Sequence, residues 1–593
     1  MKAIKILIED RNYNSWIFQY PGTFETVSLD DVPLLKTLNP LEQKMFSRDV
    51  FIFDDENNVQ ITKSYLKSST VIAGVLMLEN NKTFGRTINK KRLLYKCIPD
   101  DKHLPAFLIP YDIKLGFSKI LKNKYIVFKF DNWADKHPHG ILVETLGDVD
   151  NLEVFYEYQL YCKSLYHSIT EFTNKTRKTL NSKSNEEYIQ EIVQTANYNI
   201  QDRTKETIIT IDPLHSTDFD DGLSIETLPN GQHRVSVYIA NVYFWLETLG
   251  LWKSFSKRVS TIYLPDRRRP MLPTILSDTL CSLQQDQPRF ALAMDFYVDA
   301  DGNIINPENI QHTNVIIKVK KNYVYEDPKM LAKDQTYQKL FEISAKMDKS
   351  VVDSHDVIAH WMVLMNMHTG LKFMKQKIGI FRSASYINPN LGNDIETALD
   401  QDTSRVIRSW NNVSGHYNMY NENIDLSHEI MNKKSYIHIT SPIRRLVDLL
   451  NQMILMKEMF QSKNISDDAN QFLMDWLEEM EYINLSMKSI RKIQTECDIL
   501  QRCFAPAKNS NGTNIMDHVY NGVVFDKNVK GPARYGYMVY LTELKLLSRI
   551  NTQTELTTYG TYSFKIYLFE DEDKTQKKIR LQLVDNQVRN ETI

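Results

Sequence analysis

Cysteine is scarce and poorly spaced for metal or disulfide chemistry. Cys97, Cys162, Cys281, Cys497 and Cys503 are the five cysteines in 593 residues, and no two form a C-x-x-C pair. Neither a zinc ribbon nor a disulfide framework is supported, so the expectation is a reducing, intracellular compartment, most simply the cytoplasm. A run of about 18 apolar residues is also missing, so no membrane span is expected. The opening Met1-Lys-Ala-Ile-Lys-Ile-Leu-Ile-Glu9 meets a carboxylate too early for the apolar stretch of a signal peptide. Solenoid-type repeats and long low-complexity tracts are lacking too. Net charge nearly vanishes, at −2 with a pI near 6.7, so total charge does not announce a nucleic-acid partner.

What is present is an ordinary globular balance, 42% hydrophobic and 25% charged. The length suggests roughly three to five domains. Charge is uneven along the chain. Lys82 to Lys129 holds twelve Lys and Arg against three Asp, an excess of nine positive charges. Beside aromatic residues, such a block can neutralise phosphates and stack bases, although a solvated face would look the same.

Apolar patterning divides the chain. Residues 1–65 read as short strands and turns, with Lys5–Ile8 and Val50–Phe53 as apolar cores. Residues 66–165 look β-rich, with Val71–Leu78 and Tyr125–Phe130 suited to strands. Thr170 to about Thr204 is polar, and part of it reads as an exposed connector. A mixed α/β region over 205–505 follows. In it, Pro229-Asn-Gly231 signals a hairpin, and Val235, Val237 and Ile239 alternate as a half-buried strand. Asp299 to Gly302 marks a second turn. Helical spacing holds from about Asp334 to Lys377 and from Ser441 to Phe504. Residues 510–593 return to β character, with Gly536–Leu541 and Tyr562–Leu568 as strands.

The sharpest feature is Ile211-Asp-Pro-Leu-His-Ser-Thr-Asp-Phe-Asp-Asp-Gly222, with four carboxylates in ten residues after an apolar strand. Like charges a few ångströms apart repel by about 4 kcal/mol per pair at an effective dielectric near 20. A cation or a shared proton must offset that, and hard oxygen ligands suit Mg²⁺ or Mn²⁺. In an extended segment Asp218 and Asp220 face one way and Asp221 another. A compact site then needs a bend, which Gly222 permits through positive φ. An EF-hand does not fit: a loop starting at Ser216 puts Asp221 where Gly is required, and one starting at Asp218 puts Gly222 one position early. An acidic surface turn remains the plain alternative.

Three blocks carry a family resemblance. Asp212-Pro…Asp218-x-Asp220-Asp221-Gly222 resembles the I-D-P-x-x-A-x-D-x-D-D-A motif of RNase II/RNB exoribonucleases. The stretch Tyr263 to Leu283 is similar to their Y-L-P…P-M-L-P…L-S…L-C-S-L block. Tyr436-Ile-His-Ile-Thr-Ser-Pro-Ile-Arg-Arg-Leu-Val-Asp448 is similar to Y-x-H-F-T-S-P-I-R-R-Y-A-D. Asp131 to Gly140, followed by Leu146-Gly147, resembles the second cold-shock domain of the eukaryotic exosome-type, RNase R-like nucleases. Too few residues precede it for a PIN domain. This chain departs from the pattern at Gly222, Ile439, Leu446 and Gln452, and in Phe381-Arg-Ser-Ala-Ser385.

The resemblance implies a multidomain protein in which β-barrel (OB/cold-shock) domains flank a central α/β RNB catalytic domain. The expected domains are a first cold-shock domain at 1–65, a second at 66–165, a connector at 166–204, the catalytic domain at 205–505 and an RNA-binding OB domain at 510–593. It further implies processive 3′→5′ hydrolysis of single-stranded RNA to nucleoside 5′-monophosphates by two metal ions. The alternative is an RNB-fold protein that binds RNA with weak or no catalysis. Asp212, Asp218, Asp220 and Asp221 would hold Mg²⁺, or Mn²⁺, with Asp220 and Arg444 catalytic. Ser441-Pro442 reads as a helix N-cap and first turn, which would put Arg444 at a helix start. Tyr263, Tyr325, Arg382 and Arg445 are candidate RNA contacts. His428 and His438 read as satisfied core histidines, and Arg267-Arg268-Arg269 as solvent-exposed or RNA-bound. Protein partners are left unspecified.

Overall fold

Alternation builds the first strands. Ile4, Ile6 and Ile8 of β1 (Ile4–Ile8) are buried while Lys5 and Leu7 are half-buried, because successive side chains of a strand point to opposite faces. With β2 (Trp16–Gln19), β3 (Val50–Phe53) and β4 (Val59–Lys63) it forms an antiparallel sheet ordered β2-β1-β3-β4. This computed structural model describes residues 2–68, 71–87, 91–113, 121–384, 399–410, 415–428, 434–460, 465–504 and 515–584. Among them, the expected first cold-shock barrel is an open four-stranded sheet. Its core is continuous with the next element: Phe46 stacks on Phe107 at 6.0 Å and packs on Trp133 at 4.8 Å.

A closed barrel follows, from β5 (Ile72–Leu76), β6 (Leu93–Pro99), β7 (Phe107–Tyr111), β8 (Lys124–Asn132) and β9 (His139–Asp148), ordered β5-β6-β7-β9-β8. Val75, Phe107, Ile126 and Phe128 fill it. The Lys82–Lys129 block lies on this element, and Lys82, Arg86, Lys91, Arg92, Lys96, Lys102, Lys122 and Lys129 are exposed. Lys90, Lys114 and Lys119 fall outside the described residues.

The polar stretch expected as a connector is largely helical. It folds as helices Thr170–Leu180 and Asn185–Gln194, the second opened by a capping box between Ser184 and Glu187. Its few apolar residues are spaced for burial: Tyr188 and Ile192 lie four apart, and Phe172 packs on Phe255 at 5.2 Å. Helical spacing outweighed the polar composition.

The second closed barrel comprises β10 (Gln201–Asp212), β11 (Asp221–Thr227), β12 (His233–Ala240), then β15 (Pro288–Val298) and β16 (His312–Val324), with β10 parallel to β16. Between them a two-stranded hairpin joins β13 (Ile262–Tyr263) to β14 (Arg268–Arg269). Gly231 at φ +81° turns the β11–β12 hairpin, and Gly302 at φ +92° follows β15. Strand β12 is buried on both faces from Val235 to Ala240 rather than half-buried. Helix Ser354–Gln376 covers the outside, with Trp361 5.5 Å from Phe296 of β15. Strands β17 (Ile380–Ser383) and β18 (His416–Met419) pair with each other, and helices Leu446–Met459, Asp467–Glu478 and Met480–Phe504 follow.

The C-terminal strands are β19 (Val519–Gly531), β20 (Arg534–Leu541), β21 (Leu546–Thr552), β22 (Thr561–Glu570) and β23 (Lys577–Leu583). They form an antiparallel sheet ordered β21-β20-β19-β22-β23 over Val524, Tyr537, Val539 and Phe564. Two compact units result. One comprises residues 1–166, 264–266 and 492–593, and the other 167–263 and 267–491. Among the described residues no helix is long and apolar enough to cross a membrane.

Candidate active site

The acidic segment begins where β10 ends. Asp212 is the last residue of that strand, and Asp221 opens β11. Between them His215 takes φ +70°. The loop is pinned from outside: Ser282 Oγ accepts from Phe219 N–H at 3.0 Å and donates to Thr217 O at 2.8 Å, and Leu283 N–H donates to Phe219 O at 3.0 Å. Gly222 is therefore not the bend. It lies within β11 opposite Tyr238, and a Cβ there would stand 3.3 Å from Ile208 Cγ2 and Ile209 O. Its role is close approach between strands. All four carboxylates line one cavity of about 600 Å³.

They divide into two pairs. Asp220, 2% exposed, is fully engaged: Oδ1 accepts from Ile443 N–H at 2.9 Å and Oδ2 from Arg444 Nε at 3.0 Å. Asp218 is likewise held, Oδ1 by Arg268 Nη1 at 2.7 Å and Oδ2 by the Tyr263 hydroxyl at 3.2 Å. In the other pair, Asp212 Oδ2 is buried without a hydrogen-bond partner. Burial first, then the charge of Asp221, pushes Asp212 well above the usual carboxylate range. Burial also raises Asp221, against the pull of Arg444 and Arg445. The expected set of four ligands is not assembled: among the described residues, no three or more His, Cys, Asp or Glu side chains are grouped to hold one ion. An orphaned buried carboxylate oxygen beside a second carboxylate nonetheless suits a hard cation, so Asp212 and Asp221 are the members of the set that fit Mg²⁺ or Mn²⁺.

The opposite wall is the turn Ser441–Arg445. Ser441 does not cap a helix. The helix runs Leu446–Met459, with Arg445 extended before it and bridged to Ser260. The Arg444 carbonyl accepts from Thr261 N–H at 2.9 Å and Ser260 Oγ at 2.8 Å, so a tertiary strand contact overrides the local capping preference. Arg444 thus sits in a turn ahead of the helix, 47% exposed at the cavity, with Nη2 on Ser441 Oγ at 3.1 Å. Burial would lower its pKa, but Asp220, Tyr263, Asp221 and Asp448 together outweigh this and hold it protonated. The fully buried Asp448 fixes the turn, accepting from Ser441 N–H and from Arg445 Nη2, both at 2.8 Å. Arg445 therefore lines the cavity as the partner of Asp448. Ile443, Leu446, Val447 and Leu450 are buried and Ile454 half-buried.

Tyr263 is 42% exposed at the cavity, and Tyr325 stacks on His355 at 3.6 Å and 12°. Arg382 does not reach the cavity. Its Nη1 donates to Gly415 O at 3.1 Å and its guanidinium lies 5.1 Å from the centre of the Tyr417 ring. A β17 position pairing with Tyr417 on β18 turned it away from the acidic loop. His438 lines the cavity and shares a 2.7 Å hydrogen bond with the Tyr417 hydroxyl; burial first, then Arg445, holds its pKa well down. His428 is buried elsewhere. Gln452 acts away from the site, accepting from Val242 N–H at 3.1 Å and donating to Ala240 O at 3.0 Å. Ser385 lies outside the described residues.

Two contributors were not anticipated from the sequence. Arg268 faces inward. Helix Ser354–Gln376 supplies Ile358, Met362, Val363 and Asn366 to the wall, and Asn366 accepts from Ile439 N–H at 3.0 Å and donates to the Tyr436 hydroxyl at 3.1 Å. The spacing of 358, 362 and 366 is the one signal that could have shown this face.

Residues 200–349 and 341–461 match the RNB domain, and residues 94–158 match the Dis3-like cold-shock domain 2 (CSD2). The first match covers the second barrel and the helices after it; the other overlaps the β5–β9 barrel. Over 267 residues, 41% of this chain, the sequence is 26% identical to Ribonuclease R of Thermotoga maritima, and the matched stretch spans 35% of that relative. In fold the chain is similar to Mycoplasma genitalium RNase R solved with ribose-methylated single-stranded RNA, with TM-score 0.64 and 16% identity over 98% of this chain and 100% of that one. It is also similar to yeast Ssd1, a pseudonuclease, with TM-score 0.58 and 14% identity over 95% and 80% of the two chains.

Proposed function

The chain belongs to the RNB-domain family, and from that premise we propose that it is a 3′→5′ exoribonuclease that hydrolyses single-stranded RNA processively to nucleoside 5′-monophosphates. One observation carries the reading: an open carboxylate pair, Asp212 and Asp221, shares a cavity with the exposed guanidinium of Arg444. That arrangement matches the needs of phosphodiester hydrolysis, which are a negatively charged pocket for cations and a positive group for phosphate.

Asp212 and Asp221 would hold Mg²⁺, or Mn²⁺. When bound, the metal acidifies water and shields developing negative charge. Asp220 has a different task. It grips Arg444 through Nε and anchors Ile443, so the guanidinium is aimed at the cavity before substrate arrives. A fixed guanidinium binds phosphate oxygens in a defined orientation. Tyr263 and Tyr325 offer aromatic faces on which terminal bases stack without sequence preference. Outside the site, the exposed lysines of the β5–β9 barrel and the C-terminal sheet of 510–593 would bind the RNA strand, with residues 1–65 joining the barrel as a further module.

A reading without cleavage has its own support, since Asp218 and Asp220 are already satisfied by protein donors. A 5′-labelled single-stranded RNA with Mg²⁺ decides. Wild type should give products shortening from the 3′ end, and Asp220→Asn should not. RNA binding without shortening by wild type overturns the nuclease and supports the binder.

A further inference from the structure

The middle arginine of Arg267-Arg268-Arg269 is turned toward the carboxylates. Arg268 is 24% exposed and Asp218 10%. One side of its guanidinium pairs with Asp218 Oδ1 at 2.7 Å and the other with Asp278, which Ser277 Oγ holds at 2.5 Å. Arg268 is the cross-strand neighbour of Tyr263 on the β13–β14 hairpin, and the Tyr263 hydroxyl takes the second oxygen of Asp218. Adjacent residues of one hairpin thus close on a single carboxylate from both sides.

We propose that Arg268 is a positioning residue of this site: an internal cation that withdraws Asp218 from metal binding and leaves Asp212 and Asp221 as the cation-holding pair. A guanidinium stays charged at any working pH. A divalent ion seeking Asp218 would therefore have to strip it from an arginine anchored at two carboxylates. Arg268 shares its charge between Asp218 and Asp278 and Arg444 pairs with Asp220, so Asp212 and Asp221 are the carboxylates of the acidic segment with no ion pair to an arginine among the described residues. The hairpin also ties the acidic loop to Tyr263, so the carboxylate that Arg268 removes from the metal set becomes the holder of a base-stacking ring.

The inference rests on the nuclease reading for its purpose but is tested on metal alone. Mn²⁺ is titrated calorimetrically into the full-length, metal-free chain. Wild type binds one ion, and Asp212→Asn weakens it about tenfold or more. Arg268→Gln frees a carboxylate and binds Mn²⁺ about tenfold more tightly or takes a second ion, while Arg268→Lys, which keeps the charge, stays near wild type. The double variant Asp218→Asn/Arg268→Gln removes the pair with no change in net charge and stays within about twofold of wild type. A tenfold loss in the double variant, an unchanged Arg268→Gln, or no Mn²⁺ binding by wild type overturns the proposal. If Arg268→Gln does not fold, the double variant decides. Wild type that binds Mn²⁺ but does not shorten RNA defeats only the nuclease reading.

Discussion

Between Ile72 and Asp148, Asn123 is the one buried polar side chain among the described residues, and it accepts from Leu78 N–H at 2.7 Å and Glu79 N–H at 3.0 Å. The barrel that starts at Gln201 buries Arg203, Thr210, Asp220, Asp221, Ser236 and Arg289. Both are closed five-stranded barrels. A buried charge costs several kcal/mol unless it is paired, and the second barrel pairs most of its charges. Arg203 meets both oxygens of Asp295 at 2.8 Å, and Asp220 meets Arg444. At the end of β10, Asp212 Oδ2 is left buried without a partner, in the same cavity as Asp221. The first barrel is a scaffold with charge on its outside. The second gathers buried carboxylates at its strand ends, where the proposed cation would sit.

Variants can break or sharpen this contrast. Phe128→Ala empties the apolar barrel and should lower unfolding free energy by about 3–5 kcal/mol while leaving Mn²⁺ affinity unchanged. A parallel fall in metal binding would erase the distinction. Asp295→Asn leaves Arg203 with the longer Glu206 ion pair at 3.8 Å and should cost about as much, roughly 3–5 kcal/mol, with a pH signature that Phe128→Ala lacks. Burial raises Asp295, but hydrogen bonds from Arg203 and Ser236 outweigh it and hold the carboxyl below its ordinary value of 3.8. A depressed carboxyl stabilises the fold above that value and loses its contribution as pH falls through the folded value. Denaturant titrations should therefore show the gap between wild type and Asp295→Asn closing below about pH 4. Asp220→Asn should slow single-turnover RNA shortening by about 10²–10³-fold, the usual loss when an aimed electrostatic group is removed, with little change in melting temperature. Smallest is Tyr263→Phe, which deletes the bond to Asp218 and keeps the ring. It should cost about 0.5–1.5 kcal/mol of RNA affinity, read by fluorescence anisotropy.

Contiguity decided what could be read before the structure. The acidic segment occupies ten successive residues, and Arg444 stands in a long motif, so both were legible as chemistry. The division of the carboxylates was not, because the partners of Asp218 come from a hairpin some fifty residues on and those of Asp220 from beyond residue 440. The arginine run read as solvent-exposed or RNA-bound, and cross-strand pairing with Tyr263 instead turned Arg268 toward the acidic loop. Ser441-Pro442 carried a sound capping signal that lost to the strand contact at Ser260 and Thr261. Residues 170–194 show the reverse: local helical spacing was sufficient, and composition misdirected the reading.

The sealed carboxylate of Asp448 has a consequence for behaviour in solution. Dissolved ions weaken attraction between exposed groups beyond a Debye length, about 10 Å at 0.1 M ionic strength. The lysines of the β5–β9 barrel are open to that screening, whereas the bonds from Asp448 to Ser441 and Arg445 are closed to it. Raising salt should therefore loosen capture of a polyanion while the turn that carries Arg444 keeps its shape.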